Sequence, residues 1–275
     1  GPALLRMERA QRDGHWLAGA ASYELGYMFS HKLRDLMPPD RDVPLLHFGV
    51  FDAPTTDAHM PPTDTATLST PMPAWSLADY TTAFDRVKDY IGAGDIYQAN
   101  LTFALTCKRT GSLDALYAQL KSKQAVPFGA LVDLGGPALL SRSPELFFAI
   151  DANRTLKARP MKGTAPRGST PAKDAALAQW LQKSEKNRAE NLMIVDLLRN
   201  DMSRISDIGS VKVPSLFAVE TYATLHQMTS SITATLRANV TLSEIFAALF
   251  PCGSITGAPK IRAMQIIQDL ETTPR

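Results

Sequence analysis

Four short strand-like stretches, FGALVDL, PALLSRS, LFFAI and TLKAR, follow one another between residues 128 and 159, separated only by GG, SPE and DANR. Glycine pairs accept positive φ, and Asp and Asn side chains bond their own backbone, so each gap reads as a tight turn. Strands joined this closely pair antiparallel, because a parallel neighbour needs a crossover of about a dozen residues or more. The spacing predicts an antiparallel meander.

Around it the pattern changes period. Ser76 and Asp79 can cap a helix running to about Ile91, which Gly92 and Gly94 break before the strand-like IYQANLTFAL. Helical patterns recur at about 171–183, 185–205, 243–250 and 259–271, and ITATL returns to strand. Residues 1–52 read as a sheet-forming segment with one short helix, part of a larger sheet. Residues 53–75, rich in Pro, Thr and Asp, read as a connection, and 76–275 as the main region of helices and strands. No fixed-period repeat is found. The fold class expected is α+β, mainly antiparallel sheet covered by helices.

Composition excludes several classes of function. Across 275 residues, Lys+Arg 29 against Asp+Glu 27 leave a net charge of +2, too small for a nucleic-acid footprint or a membrane-surface patch. No apolar run reaches the roughly 18 residues that span a bilayer. Cys107 and Cys252 are far apart and lack the spacing of a zinc site or a disulfide scaffold, which fits a reducing cytoplasm.

Three constellations carry chemistry. If DANR makes the turn between LFFAI and TLKAR, Glu145 falls near Pro160 across the ladder and Lys162 lies two residues on, at a diagonal distance of about 7–8 Å. An acid beside an amine suits general acid and nucleophilic catalysis, although an ordinary cross-strand ion pair is the commoner outcome. In SEKNRAENLMIVDLLRNDMSRI, Asn187, Glu190 and Asp201 share one helix face, which suits a hard cation or, equally, a solvated surface. FPCGSITGAPK is a glycine-containing turn entering a helix with Pro259 at its first position, where orphan N–H groups favour an anion. His226 stands alone among small and polar residues, a setting more often structural than catalytic.

Together GDIYQANLT, SRSPELFF, RPMKGTAPRG, KNRAENLMIVDLLRND, HQMTSSI and FPCGSITGAPKIRAM resemble the chorismate-utilising enzyme family, from about Ala78 to the last residue. GHWLAGAASYELGY is similar to an early segment of its aminodeoxychorismate-forming branch. Members that add water to chorismate carry a lysine base where this chain has Gln98, so the resemblance implies another reaction. Members that form anthranilate usually carry alanine at the position of Lys162, whereas the aminating branch carries lysine, as here.

The resemblance implies the family fold of large antiparallel sheets packed face to face, with 76–275 as the catalytic region. It implies amination of chorismate, with Lys162 as nucleophile at C2 and Glu145 as the acid that protonates the departing 4-hydroxyl. It further implies substrate contacts from Gln98, Gly163, Thr164, His226, Gly253, Ser254, Thr256, Gly257 and Lys260, magnesium on Glu190, and ammonia from a separate glutamine amidotransferase subunit. The alternatives are an anthranilate-forming member, or a non-catalytic fragment that binds chorismate or its partner. In the family, further strands after the helix near Glu271 bring a tyrosine, an arginine and a second carboxylate group, and an early strand helps form a tryptophan pocket in some members. The expectation is of a chain truncated at both ends, with little activity alone and with unpaired edges that favour self-association.

Overall fold

A computed structural model describes residues 1–56 and 64–275, so part of the expected connection lies outside the described residues. These residues form two compact units. The first comprises Gly1–Gln119, Ala130–Leu140 and Ile255–Arg275, and the second Leu120–Gly129 and Ser141–Ser254.

The second unit is built on a five-stranded sheet. Strand Leu146–Ile150 turns through Asp151–Arg154 into Thr155–Arg159, with Leu146 opposite Arg159. The turn is closed by Arg154 N–H to the Asp151 carbonyl and by the Asp151 carboxylate accepting from Thr155 N–H at 2.8 Å, the expected Asx device. Met161–Pro166 then continues along the same neighbour, strand Leu225–Thr235: Ala158 faces Ile232 and Met161 faces Thr229. Pro160 interrupts the ladder because it has no N–H to donate, yet its carbonyl still accepts from Ser230 N–H at 3.1 Å. Strand Lys212–Thr221 pairs with the other edge of Leu225–Thr235.

Helix Glu185–Ser203 lies over this sheet. Its Ile194, Val195, Leu198 and Met202 pack with Leu156, Ala158, Ile232 and Ala234 of the strands and Ile245, Ala248 and Leu249 of helix Leu242–Leu249. Each fully buried Leu or Ile contributes about 1.5–3 kcal/mol of transfer free energy, so this seam is what holds helix to sheet.

In the first unit, helix Leu77–Gly92 begins with the capping box expected from Ser76 and Asp79. Val87 and Ile96 pack with Ala263, Ile266 and Leu270 of helix Lys260–Leu270. Strands Trp16–Ala21 and Leu46–Phe51 pair antiparallel beside helix Pro2–Arg12.

The α+β class holds, and the strand pairings among the described residues are antiparallel. Several local expectations do not. All four strands of the expected meander form, but Phe128–Val132 and Leu139–Ser143 make their own two-stranded sheet, while the next two join the five-stranded one. IYQANLTFAL yields only Gln98–Ala99 and Leu105–Thr106, because intervening backbone groups bond elsewhere: Asn100 N–H to the Thr256 carbonyl and Thr102 N–H to the Glu271 carboxylate. The early strand stops at Ala21, where Tyr23–Phe29 coils into a 3₁₀ helix, and the sheet it forms has two strands among the described residues. Within residues 53–75, Thr67–Leu68 and Met72–Pro73 form short strands.

Candidate active site

The second unit brings Lys162, Glu145 and Ser254 together. Lys162 lies at a bulge: the register along Leu225–Thr235 shifts between Met161 and Thr164, so one extra residue is accommodated there. Gly163 makes the bulge feasible with φ +98, and a Cβ on it would meet the Asn187 Cβ at 3.0 Å. The bulge aims the lysine, whose Nζ donates to the Ser254 carbonyl at 3.0 Å.

Glu145 follows a turn in which its own N–H donates to Ser143 Oγ at 3.2 Å. Burial drives its carboxyl above the ordinary glutamate value; the Ser254 hydroxyl, the Lys162 charge and the Met161 N–H pull the other way without overcoming it. Ser254 is near enough to favour the ionised form, but Glu145 Oε1 and Ser254 Oγ are both buried and neither completes a hydrogen bond. The two are neighbours that stop short of a bond. An amine, a carboxyl that burial makes hold its proton more tightly than an ordinary glutamate, and a buried hydroxyl thus occupy one locality, which is the equipment for covalent attack with proton donation to a leaving group.

Other expected residues have distinct settings. Thr164 is exposed, and its hydroxyl donates to Gln227 at 2.9 Å. Gly253 presses on Leu197, where an added Cβ would come within 2.3 Å of its side chain. His226 is 1% exposed, and both ring nitrogens are engaged, one with Thr221 Oγ1 and one with Asp174 Oδ1, each at 2.9 Å. Asp174 also takes two hydrogen bonds from Arg167 and one from Gly168 N–H, which hold its carboxyl well below the usual aspartate range. His226 is thus tied into the protein at both ring nitrogens.

In the first unit, Gln98 and Ala99 pair with Ala258 and Gly257. Gly257, at φ +145, lets the two backbones meet, since a Cβ there would lie 2.2 Å from the Gln98 carbonyl oxygen. Thr256 is fully buried and its carbonyl accepts from Asn100 N–H at 2.8 Å. Pro259 is the N-cap rather than the first helical residue, so Lys260 opens the helix, which has no side-chain cap.

The polar helix face divides. Asp201 is 4% exposed, whereas Glu190 is half-exposed with Lys186 Nζ at 4.0 Å. The two stand about 16 Å apart along the axis, too far to share an ion. Among the described residues, no group of three or more His, Cys, Asp or Glu side chains is placed to hold a metal. One accessible carboxylate still suits magnesium completed by water and substrate oxygens.

Residues 3–275 match the family described as chorismate binding enzyme. The chain belongs to that family. Among its relatives, aminodeoxychorismate synthase component 1 of Klebsiella aerogenes is 39% identical over 92% of this chain and 55% of its own length. The protein of the same name from Escherichia coli (strain K12) is 45% identical over 71% of this chain and 43% of its own. The chain therefore spans about half the length of these relatives. The crystal structure of anthranilate synthase component I from Streptococcus pneumoniae TIGR4 superimposes with a TM-score of 0.79 at 23% identity, covering 95% of this chain and 66% of that one, which establishes the shared fold. No helix among the described residues is long and apolar enough to cross a membrane.

Proposed function

We propose that this chain supplies the chorismate-aminating chemistry of an aminodeoxychorismate synthase. The observation that carries the reading is the meeting of Lys162 Nζ and the Glu145 carboxyl at Ser254. The names of the relatives at 39% and 45% identity support the same choice of reaction.

In this reading the Lys162 amine attacks C2 of chorismate. The ring double bonds shift, and the C4–O bond breaks as Glu145 gives its proton to the departing hydroxyl, which leaves as water. Ammonia then attacks C4, the double bonds shift back, and the C2–N bond to Lys162 breaks. The product, 4-amino-4-deoxychorismate, keeps its enolpyruvyl group and is the precursor of p-aminobenzoate. Ammonia comes from a partner glutamine amidotransferase. Magnesium, held in part by Glu190, would neutralise a substrate carboxylate when bound.

The test is Lys162→Ala in the full-length protein, assayed with ammonia, magnesium and chorismate alongside the unsubstituted protein. We expect amination to fall by orders of magnitude while chorismate binding persists, because the amine acts in the covalent step. Retention of more than about a tenth of the activity would rule out the nucleophile. Formation of anthranilate with release of pyruvate would replace the proposed reaction by the anthranilate-forming one.

A further inference from the structure

Asn191 takes no part in the steps above, yet it is 0% exposed on the sheet-facing side of helix Glu185–Ser203. Its amide lies in a one-directional relay. Phe217 N–H donates to Ser230 Oγ at 3.1 Å, the Ser230 hydroxyl donates to Asn191 Oδ1 at 2.5 Å, and Asn191 Nδ2 donates to the Lys162 carbonyl at 3.4 Å. The chemistry fixes this direction, since a backbone N–H only donates and a carbonyl only accepts.

Both ends of the relay are unusual backbone. Phe217 has φ 59, rare for a non-glycine residue, in a strand whose register shifts between Ser215 and Ala218. Lys162 and Gly163 occupy the bulge on the other side of Leu225–Thr235. Ser230 lies between them on the central strand, and its own N–H is spent on Pro160.

We propose that Asn191 is a positioning residue for Lys162, transmitting the geometry of the Phe217 bulge through Ser230 to the Lys162 peptide and so setting where its amine stands against Ser254 and Glu145. This rests on the reading of Lys162 as the reacting amine. A nucleophile displaced by about 1 Å can lose about a hundredfold in rate, so a residue that never touches substrate can matter this much.

The test is Asn191→Leu in the full chain, with two readouts. One is kcat and KM for chorismate with ammonia as the nitrogen source. The other is the rate at which trinitrobenzenesulfonate labels Lys162, read by peptide mass spectrometry against Lys186, which is 84% exposed. We expect labelling of Lys162 to rise at least about threefold as its hold on Ser254 loosens, and kcat to fall about tenfold or more with KM within about twofold. A lowered melting temperature with unchanged relative labelling and kcat would mean a merely structural role and overturn the proposal. Labelling does not need turnover. Altered labelling in a protein whose unsubstituted form makes no aminodeoxychorismate would therefore keep the positioning role and remove the function, while wild-type labelling and kcat in the variant of an active enzyme would do the reverse. Should Asn191→Leu fail to fold, Ser230→Ala breaks the same relay with little change in volume. It is expected to shift both readouts in the same direction by about threefold, and a folded Ser230→Ala protein with neither shift overturns the proposal.

Discussion

Gly163 and Asn187 approach so closely that a Cβ on residue 163 would stand 3.0 Å from the Asn187 Cβ and 3.1 Å from its Oδ1. The strand next to Lys162 is thereby seated on helix Glu185–Ser203, and only a residue without a side chain can hold φ +98 there at low cost. Gly163→Ala is expected to destabilise the protein by about 2 kcal/mol, combining backbone strain with overpacking. Amination should fall with it, because the bulge that aims Lys162 must relax. An unchanged denaturation midpoint in urea would show that the contact yields without cost.

Glu145 gives a pH signature of known sign. Its folded carboxyl holds a proton more tightly than the unfolded one, so its contribution to stability is fully present below the ordinary glutamate range and is lost as pH rises through the raised value. Glu145→Gln removes that loss. Melting curves of the two proteins should coincide at the acid end and separate in favour of the substituted protein as pH rises through that window. Amination should meanwhile fall by about 10²–10⁴-fold, the usual worth of a general acid. A melting difference that does not vary with pH would count against the buried-carboxyl reading.

The hairpin that carries Glu145 is legible because turn chemistry is local: DANR announces its own Asx bond, and the pairing of Ile150 with Leu156 and of Ala149 with Lys157 follows, up to the irregularity between Ala149 and Leu146 that the turn does not foretell. The strand carrying Lys162 was harder to read, because Pro160 and Gly163 both resemble breaks, and only pairing with Leu225–Thr235 makes them one continuous run. That partner lies more than sixty residues on in the sequence, and non-local pairing of this kind leaves no periodic trace. Asn191 is hidden in the sequence for a related reason. It sits one turn after Asn187 in a polar-looking stretch, and its burial depends on Ser230 of a distant strand. The carboxylates of the same helix share a direction around its axis, but Glu190 and Asp201 are three turns apart along it.

Glu190 is the remaining candidate for a metal ligand, and Glu190→Gln isolates its charge while keeping its length. Loss of one hard anionic oxygen should raise the magnesium concentration needed for half-maximal amination severalfold, with little effect on folding, since its pairing with Lys186 is half-exposed and weak. Titration of activity with magnesium after treatment with a chelator measures this directly. An identical magnesium requirement would return Glu190 to the solvated face of the helix.

Asp174 and His226 supply the opposite pH dependence. Arg167 is the largest influence on the Asp174 carboxyl, followed by the Gly168 N–H and then by His226, and together they hold it ionised far into acid. A carboxyl with a depressed folded pKa contributes stability above the ordinary aspartate range and loses it as pH falls through the folded value. Asp174→Asn keeps an acceptor oxygen for Gly168 or His226 but discards the charge that Arg167 grips through two nitrogens. The substituted protein should melt below wild type at neutral pH, and the gap should close as pH falls below the ordinary aspartate range. Because His226 is buried and bonded to Thr221 as well, freeing one of its nitrogens should also loosen the edge where His226 pairs with Ala165, just beyond the Lys162 bulge. Hydrogen exchange at the Ala165 and His226 amides reads that loosening, and wild-type protection there, together with a melting gap constant in pH, would leave Asp174 as a surface cap with no hold on the site.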